Sequence, residues 1–286
     1  MNVLVTGGNG QLATCIKETW KPLENERLEF IASRDMNIYK VESWEKLLKG
    51  RMIDTIIHTS AYTAVDKAED EPELAEKVNV TQVKALVKAA KTVGARIVYI
   101  STDFVYGATS EEVPRSESEQ VSPESVYGRT KFQGEEVVRQ SGLSHLIIRT
   151  SWLYSNIGNN FLNTMMRLLG EGRDLKVVND QRGTPTSAYS LAHFVRDYLR
   201  SDYRLGLMDK ETINFSNRGA TTWYEFATAI KRIANLPGSV SPCTSEEYPQ
   251  KAKRPYYSVM DLTKLEATGW ENAAWEEELR MVVRFR

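Results

Sequence analysis

The sequence predicts an α/β fold: a Rossmann-like, doubly wound parallel sheet with a smaller, loop-rich C-terminal substrate portion. Short apolar, β-rich runs alternate with longer helical patterns through the first half of the chain, the signature of βαβ crossovers. The first run leads directly into TGGNGQLA, Thr6 to Ala13, a glycine turn where such folds bind phosphate. The 286 residues are 41% hydrophobic, enough for one large domain or two closely joined ones.

The predicted strands are NVLVT (2–6), LEFIAS (28–33), TIIHTSA (55–61), RIVYIST (96–102) and HLIIRTS (145–151). Between the third and fourth, residues 71–95 read as one crossover helix, with Leu74, Val78, Val83, Leu86, Val87 and Ala90 near a 3.6 period, Pro72 at its start and Gly94 at its end. A second helix is expected over GRTKFQGEEVVRQ (128–140), before the fifth strand. Past about residue 155 the pattern loosens into polar stretches such as NDQRGTPTS (179–187) and SPCTSEEYPQKAKRP (241–255). The nucleotide-binding domain is therefore assigned to residues 1–152 plus about 175–178 and 187–217, and the second portion to about 153–174, 179–186 and 218–286.

Charge narrows the partner. Lys plus Arg (37) nearly cancel Asp plus Glu (38), which gives no general pull toward nucleic acid or an anionic membrane and favours a small molecule. Cys15 and Cys243 are too few for a disulfide framework or metal site and fit a reducing compartment. The opening MNVLVTGG shows neither basic leader nor apolar signal region, and nowhere is there an apolar run near ~20 residues. A cytoplasmic protein is expected. His58, His145 and His193 lack metal-ligand spacing, and the acidic string DKAEDEPE (66–73) reads as a solvated helix N-terminus. No metal is expected.

Gly7, Gly10 and Ala13 form G-x-x-G-x-x-A, whose small residues allow a tight turn, close approach of amides to a pyrophosphate, and close helix packing. At the end of the second strand a carboxylate would bond a free ribose 2′-hydroxyl, whereas an Arg accommodates a 2′-phosphate. Ser33 and Arg34 point to NADPH, with Asp35 near enough to keep NADH open. VYGRTK places Tyr127 four residues before Lys131, on one face of a helix. A chain with 13 tyrosines carries such a spacing by chance, so its weight comes from the glycine loop and strand ends around it. An adjacent ammonium should lower the phenol pKa, and the phenol could then protonate a carbonyl oxygen as hydride reaches carbon. The Thr102 hydroxyl, ending the fourth strand, could hold the same oxygen.

In this order and separation, the glycine loop, Thr102 and Tyr127-x-x-x-Lys131 resemble the extended short-chain dehydrogenase/reductases, in which the Lys also bonds the nicotinamide ribose. Longer strings are similar to the dTDP-4-dehydrorhamnose reductase family within it: SAYTAVDKAEDEPELAEKVN (60–79), YISTDFVYG (99–107), RTSWLYS (149–155), GNNF (158–161), NDQRGTPTS and KRPYYSVMD (253–261). That resemblance implies NADPH-dependent reduction of the 4-keto group of dTDP-6-deoxy-L-lyxo-4-hexulose to dTDP-L-rhamnose, by a monomer or homodimer whose second portion holds the sugar nucleotide. It implies that Gly7, Gly10, Gln11 and Leu12 line the pyrophosphate, with Asn37 and Ile38 near the adenine, where the family usually has Asp-Ile. Ala61 and Tyr62 match cofactor contacts, and Thr63 and Val65 substrate contacts. Asp103, Tyr106 and Trp152 should wall the sugar pocket, while Asn160, Thr184 and Arg254 meet the nucleotide or its phosphates. A guanidinium independently suits a diphosphate. Related 4,6-dehydratases use Thr-Asp-Glu where this chain has Thr102-Asp103-Phe104. Two other readings stay open: a nucleotide-sugar epimerase, and a non-catalytic regulatory subunit of a methionine adenosyltransferase.

Overall fold

In the computed structural model, which describes residues 1–107, 111–205 and 210–284, six parallel strands form the central sheet. They are β1 (Asn2–Thr6), β2 (Arg27–Ile31), β3 (Thr55–His58), β4 (Arg96–Thr102), β5 (His145–Thr150) and the edge strand Glu211–Phe215. The spatial order is β2, β1, β3, β4, β5 and then the edge strand. The strands are near-continuous apolar runs because helices cover both faces. On one face Val3, Val5, Ile57, Val98, Leu146 and Ile148 pack with residues of helix α1 (Gln11–Thr19) and the helix Ala188–Leu205. On the other, Leu4, Ile56, Ile97, Tyr99 and Ile147 meet helix α2 (Val41–Leu48) and the crossover helices before β4.

The 71–95 segment is helical without a break from Pro72 to Val93, but not α-helical throughout. After α3 (Val65–Asp70) come α4 (Pro72–Glu76), a π-helical turn at Lys77–Thr81, and α5 (Gln82–Val93), which ends at Gly94 in the left-handed conformation, φ +66°. Side-chain periodicity survives such a turn, but tertiary bonds decide it. Buried Asn79 accepts from the Tyr62 amide at 2.8 Å and donates to the Tyr62 carbonyl and to Thr130 Oγ1 at 3.2 and 3.0 Å. Inserted π turns of this kind are frequent at functional sites.

The second half holds more helix than its composition suggests. Phe161–Gly170, Trp223–Ala234 and Trp275–Arg284 enclose an apolar cluster that includes Leu162, Met165, Phe226, Ile230, Trp275 and Leu279. Residues 175–178, expected with the nucleotide-binding half, instead pair with the strand Ser239–Cys243 in a separate two-stranded sheet. Strand alternation alone carries no information on which sheet a strand joins. Residues 187–217 contribute the helix against α1 and the edge strand beside β5. No described helix is long and apolar enough to cross a membrane.

Candidate active site

The chain leaves β1 for β2 on one side and returns to β3 on the other, so strand order reverses at β1 and β3. Ligands of open α/β sheets bind beyond the strand ends at such a reversal. A cleft of about 660 Å³ lies there. Its floor begins at Gly7, with φ +68°, where a Cβ would come 2.9 Å from Thr59 Oγ1 and 3.0 Å from the Ser60 nitrogen. Only glycine fits that turn. The Gly10 amide donates to the Gly7 carbonyl at 2.7 Å, and Gly10 caps α1 with no side-chain bond to its first amides. Those amides and the positive helix end suit a pyrophosphate. Gln11, Leu12, Ser33, Arg34 and Ala61 line the same end. Asp35 is turned away by its own turn, accepting from the Ala32 amide at 2.6 Å, while the Arg34 side chain is 79% exposed.

Further along, Thr102 ends β4 in register with Thr150. Its hydroxyl donates to Asp103 Oδ1 at 3.1 Å and lines the cleft with Tyr127. Tyr127 and Lys131 project from α6 (Val126–Arg139), which Ser125 caps by accepting from the Gly128 amide at 3.0 Å. Glu69 adds a bond from the Val126 amide at 2.7 Å. The expected lowering of the phenol by the ammonium is not what the geometry gives. Burial pushes Tyr127 up to about 12, against the pull of the Thr102 hydroxyl. Lys131 Nζ instead donates to the Ile100 carbonyl at 2.6 Å and lies 4.2 Å from the centre of the Tyr99 ring. Burial brings this ammonium down to about 7, opposed by Glu135. One turn beyond Lys131, Glu135 is fully buried, accepting from Ser101 Oγ at 2.5 Å and from Arg149 at 2.8 and 3.0 Å. It ties α6 to β4 and β5. Asp103 is pushed up to about 6 by burial, against the Thr102 hydroxyl bond.

The cleft is also lined by Thr63, Val65, Trp152, Asn160, Arg254 and Trp223, among others. Trp152 has φ +46°, a conformation that costs a bulky residue on the order of 1–3 kcal/mol. Asn160 caps the helix Phe161–Gly170 and donates to Gln11 Oε1 at 2.7 Å. Arg254 bonds Gln250 and reaches Asp66 Oδ2 at 2.5 Å. The acidic string is thus not merely solvated, because Asp66, Glu69 and Asp70 hold neighbouring segments.

Five expected contacts lie outside the described lining of the cleft. Tyr106, 3% exposed, donates to Asn214 Oδ1 at 2.6 Å and packs with Val105 and Met260. Thr184 is buried and donates to the Gly219 carbonyl at 2.7 Å. Ile38 packs in the core beside Trp44, and Asn37 Oδ1 accepts from the Tyr39 amide at 3.2 Å. Tyr62 turns its hydroxyl to Glu71 at 2.7 Å. Each follows a motif residue in sequence, but its side chain has another direction. Conversely, Asn79, Glu135 and Trp223 were not singled out by the sequence reading. The first lay inside a recognised string, the second one turn past Lys131, and Trp223 carried no signal.

A glycine cradle at the sheet's reversal point and a Thr-Tyr-Lys group at the next strand end define a dinucleotide-binding oxidoreductase of the short-chain dehydrogenase/reductase type. Comparison with known proteins makes this specific. Residues 1–285 match the family model of the RmlD substrate binding domain. The dTDP-4-dehydrorhamnose reductase of Escherichia coli K12 is 36% identical over 278 residues, covering 93% of this chain and 91% of that protein. A crystal structure of a dTDP-4-dehydrorhamnose reductase from Clostridium acetobutylicum superposes with TM-score 0.92 at 38% identity, covering 100% and 99% of the two chains. The Bacillus anthracis dTDP-4-dehydrorhamnose reductase, solved in complex with NADP, gives 0.93 at 33%, with the same coverage. The chain belongs to the dTDP-4-dehydrorhamnose reductase family.

Proposed function

We propose that this chain reduces the 4-keto group of dTDP-6-deoxy-L-lyxo-4-hexulose to give dTDP-L-rhamnose, with NADPH as reductant. The observation that carries the reading is that Thr102, Tyr127 and Lys131 line one cleft with the glycine cradle and Arg254. The cradle at Gly7, which a Cβ would fill, fits the cofactor's pyrophosphate, and exposed Arg34 fits a 2′-phosphate. NADPH supplies the hydride that C4 receives. Tyr127, protonated throughout the neutral range, gives its proton to the C4 oxygen as negative charge develops there, and Thr102 orients that oxygen. Lys131, which burial brings down to about 7, stands beside the cofactor site, and Arg254 offers its guanidinium to the sugar's diphosphate. Phe104 stands where a dehydratase would place its Glu and packs edge-on against Tyr127 at 5.5 Å. It offers no second carboxylate for water loss.

The test follows absorbance of NADPH, with NADH in parallel, on mixing the protein with the keto-sugar. Oxidation with formation of dTDP-L-rhamnose is expected, falling on the order of 10²–10⁴-fold in Tyr127→Phe, while cofactor affinity is kept. A folded, NADPH-binding wild type without turnover would move the assignment to another keto-sugar or to the regulatory-subunit reading.

A further inference from the structure

One aromatic residue in the cleft has no part in the chemistry above, yet lies flat against Trp152, the expected wall of the sugar pocket. The Trp223 and Trp152 rings stack with centroids 3.6 Å apart and planes 13° from parallel. Phe161 packs on Trp223 at 4.6 Å, and all three line the cleft. Gly183 also presses on the Trp152 indole, since a Cβ there would lie 2.7 Å from Cε2 and Cζ2. The frame behind these contacts is fixed. Thr221 pairs with Gly183, and Thr222 and Glu225 form a reciprocal cap that starts the Trp223–Ala234 helix. The Trp152 carbonyl accepts from the Thr186 amide at 3.2 Å. A bulky residue at φ +46° is held there only where its surroundings over-determine it.

We propose that Trp223 is a positioning residue for the keto-sugar, acting through Trp152: its ring holds the Trp152 indole as the wall of the sugar end of the cleft. The proposal rests on the reductase reading and deepens it. Proton transfer at Tyr127 and cofactor binding at the glycine loop are on other elements, so loss of Trp223 should weaken sugar binding and leave both nearly intact. Were Trp223 only a packing residue, its loss would lower stability without selecting the sugar.

The experiment is a double-mutant cycle at saturating NADPH with dTDP-6-deoxy-L-lyxo-4-hexulose. Trp223→Leu should raise KM for the sugar about tenfold, the upper range of an aromatic pair, with kcat and NADPH affinity little changed. Trp223→Phe should recover most of the loss, and Trp152→Leu/Trp223→Leu should be no worse than Trp152→Leu alone. Independent, multiplying losses, or an unchanged sugar KM in Trp223→Leu, would overturn the proposal. If Trp223→Leu does not fold, Gly183→Ala and Trp223→Phe carry the test: the first must raise the sugar KM and the second must raise it less. An unchanged KM in Gly183→Ala would likewise reject the assignment. A wild type inert toward the keto-sugar removes the reductase reading and this proposal together, whereas an active wild type with independent losses removes only the role of Trp223.

Discussion

Asp103 is 3% exposed and accepts from the Thr102 hydroxyl. Burial raises its carboxyl from 3.8 to about 6. Between these values the folded chain holds the proton more tightly than the unfolded one, so this group's contribution to stability falls as pH rises from about 4 to 6. Above pH 6 the folded state carries a desolvated carboxylate at a cost of about 3 kcal/mol. Asp103→Asn should therefore be more stable by roughly that amount at pH 8, and gain little below pH 4. Urea unfolding at the two pH values decides it, and an equal gain at both would mean that the charge is not the cause. That Gly7, Thr102, Tyr127 and Lys131 meet at one cleft was legible in the sequence because they occupy short motifs whose local geometry is nearly fixed. How Tyr127 and Lys131 titrate was not. That depends on where burial puts Lys131 Nζ, on the Ile100 carbonyl, and no spacing encodes such a distance. Tyr106 and Thr184 show the same gap: chain neighbours of the site, they point into the core.

At the scale of elements, α6 carries Tyr127 and Lys131 and is seated by Gly134. A Cβ there would lie 2.2 Å from Tyr99 Oη and 2.7 Å from the Asn79 carbonyl of the π turn. Alanine is a better helix former than glycine by about 1 kcal/mol, but neither neighbour is a flexible chain end. Gly134→Ala should accordingly lose roughly 1–3 kcal/mol through overpacking, whereas Gly170→Ala, at a helix end with nothing within 4 Å, should lose nothing comparable. Chemical denaturation of both variants reads the contrast, and a stabilised Gly134→Ala would show that α6 has room to move. The 71–95 segment was legible as helix from its apolar spacing. Its π turn was not, because the bonds of Asn79 to Tyr62 and Thr130 join residues 17 and 51 positions away.

Across the whole molecule, the parallel sheet followed from alternating patterns, while the helices of the second half did not, since their apolar faces meet one another rather than the sheet. The segment running from residue 241 to 255 is polar because it lies across the nucleotide-binding half. Lys251 pairs with Asp70 at 2.6 Å, Lys253 with Glu124, and Arg254 with Asp66 at 2.5 Å. The first two pairs are largely exposed and contribute little by themselves. Arg254, 21% exposed at its side chain, lines the cleft, so a diphosphate arriving there would share its guanidinium with Asp66. Ligand binding should then report on the two ends of the cleft separately. NADPH at about 100 times its Kd adds about 2.7 kcal/mol to the folded state, a rise in Tm of roughly 5–10 °C for a chain of this size. dTDP added to the NADPH complex should raise Tm again. In Arg254→Gln the first increment should remain and most of the second disappear. If the dTDP increment survives, the diphosphate is held elsewhere and Arg254 serves only to fasten this segment to α3; if the NADPH increment is lost as well, the fastening itself shapes the cofactor end.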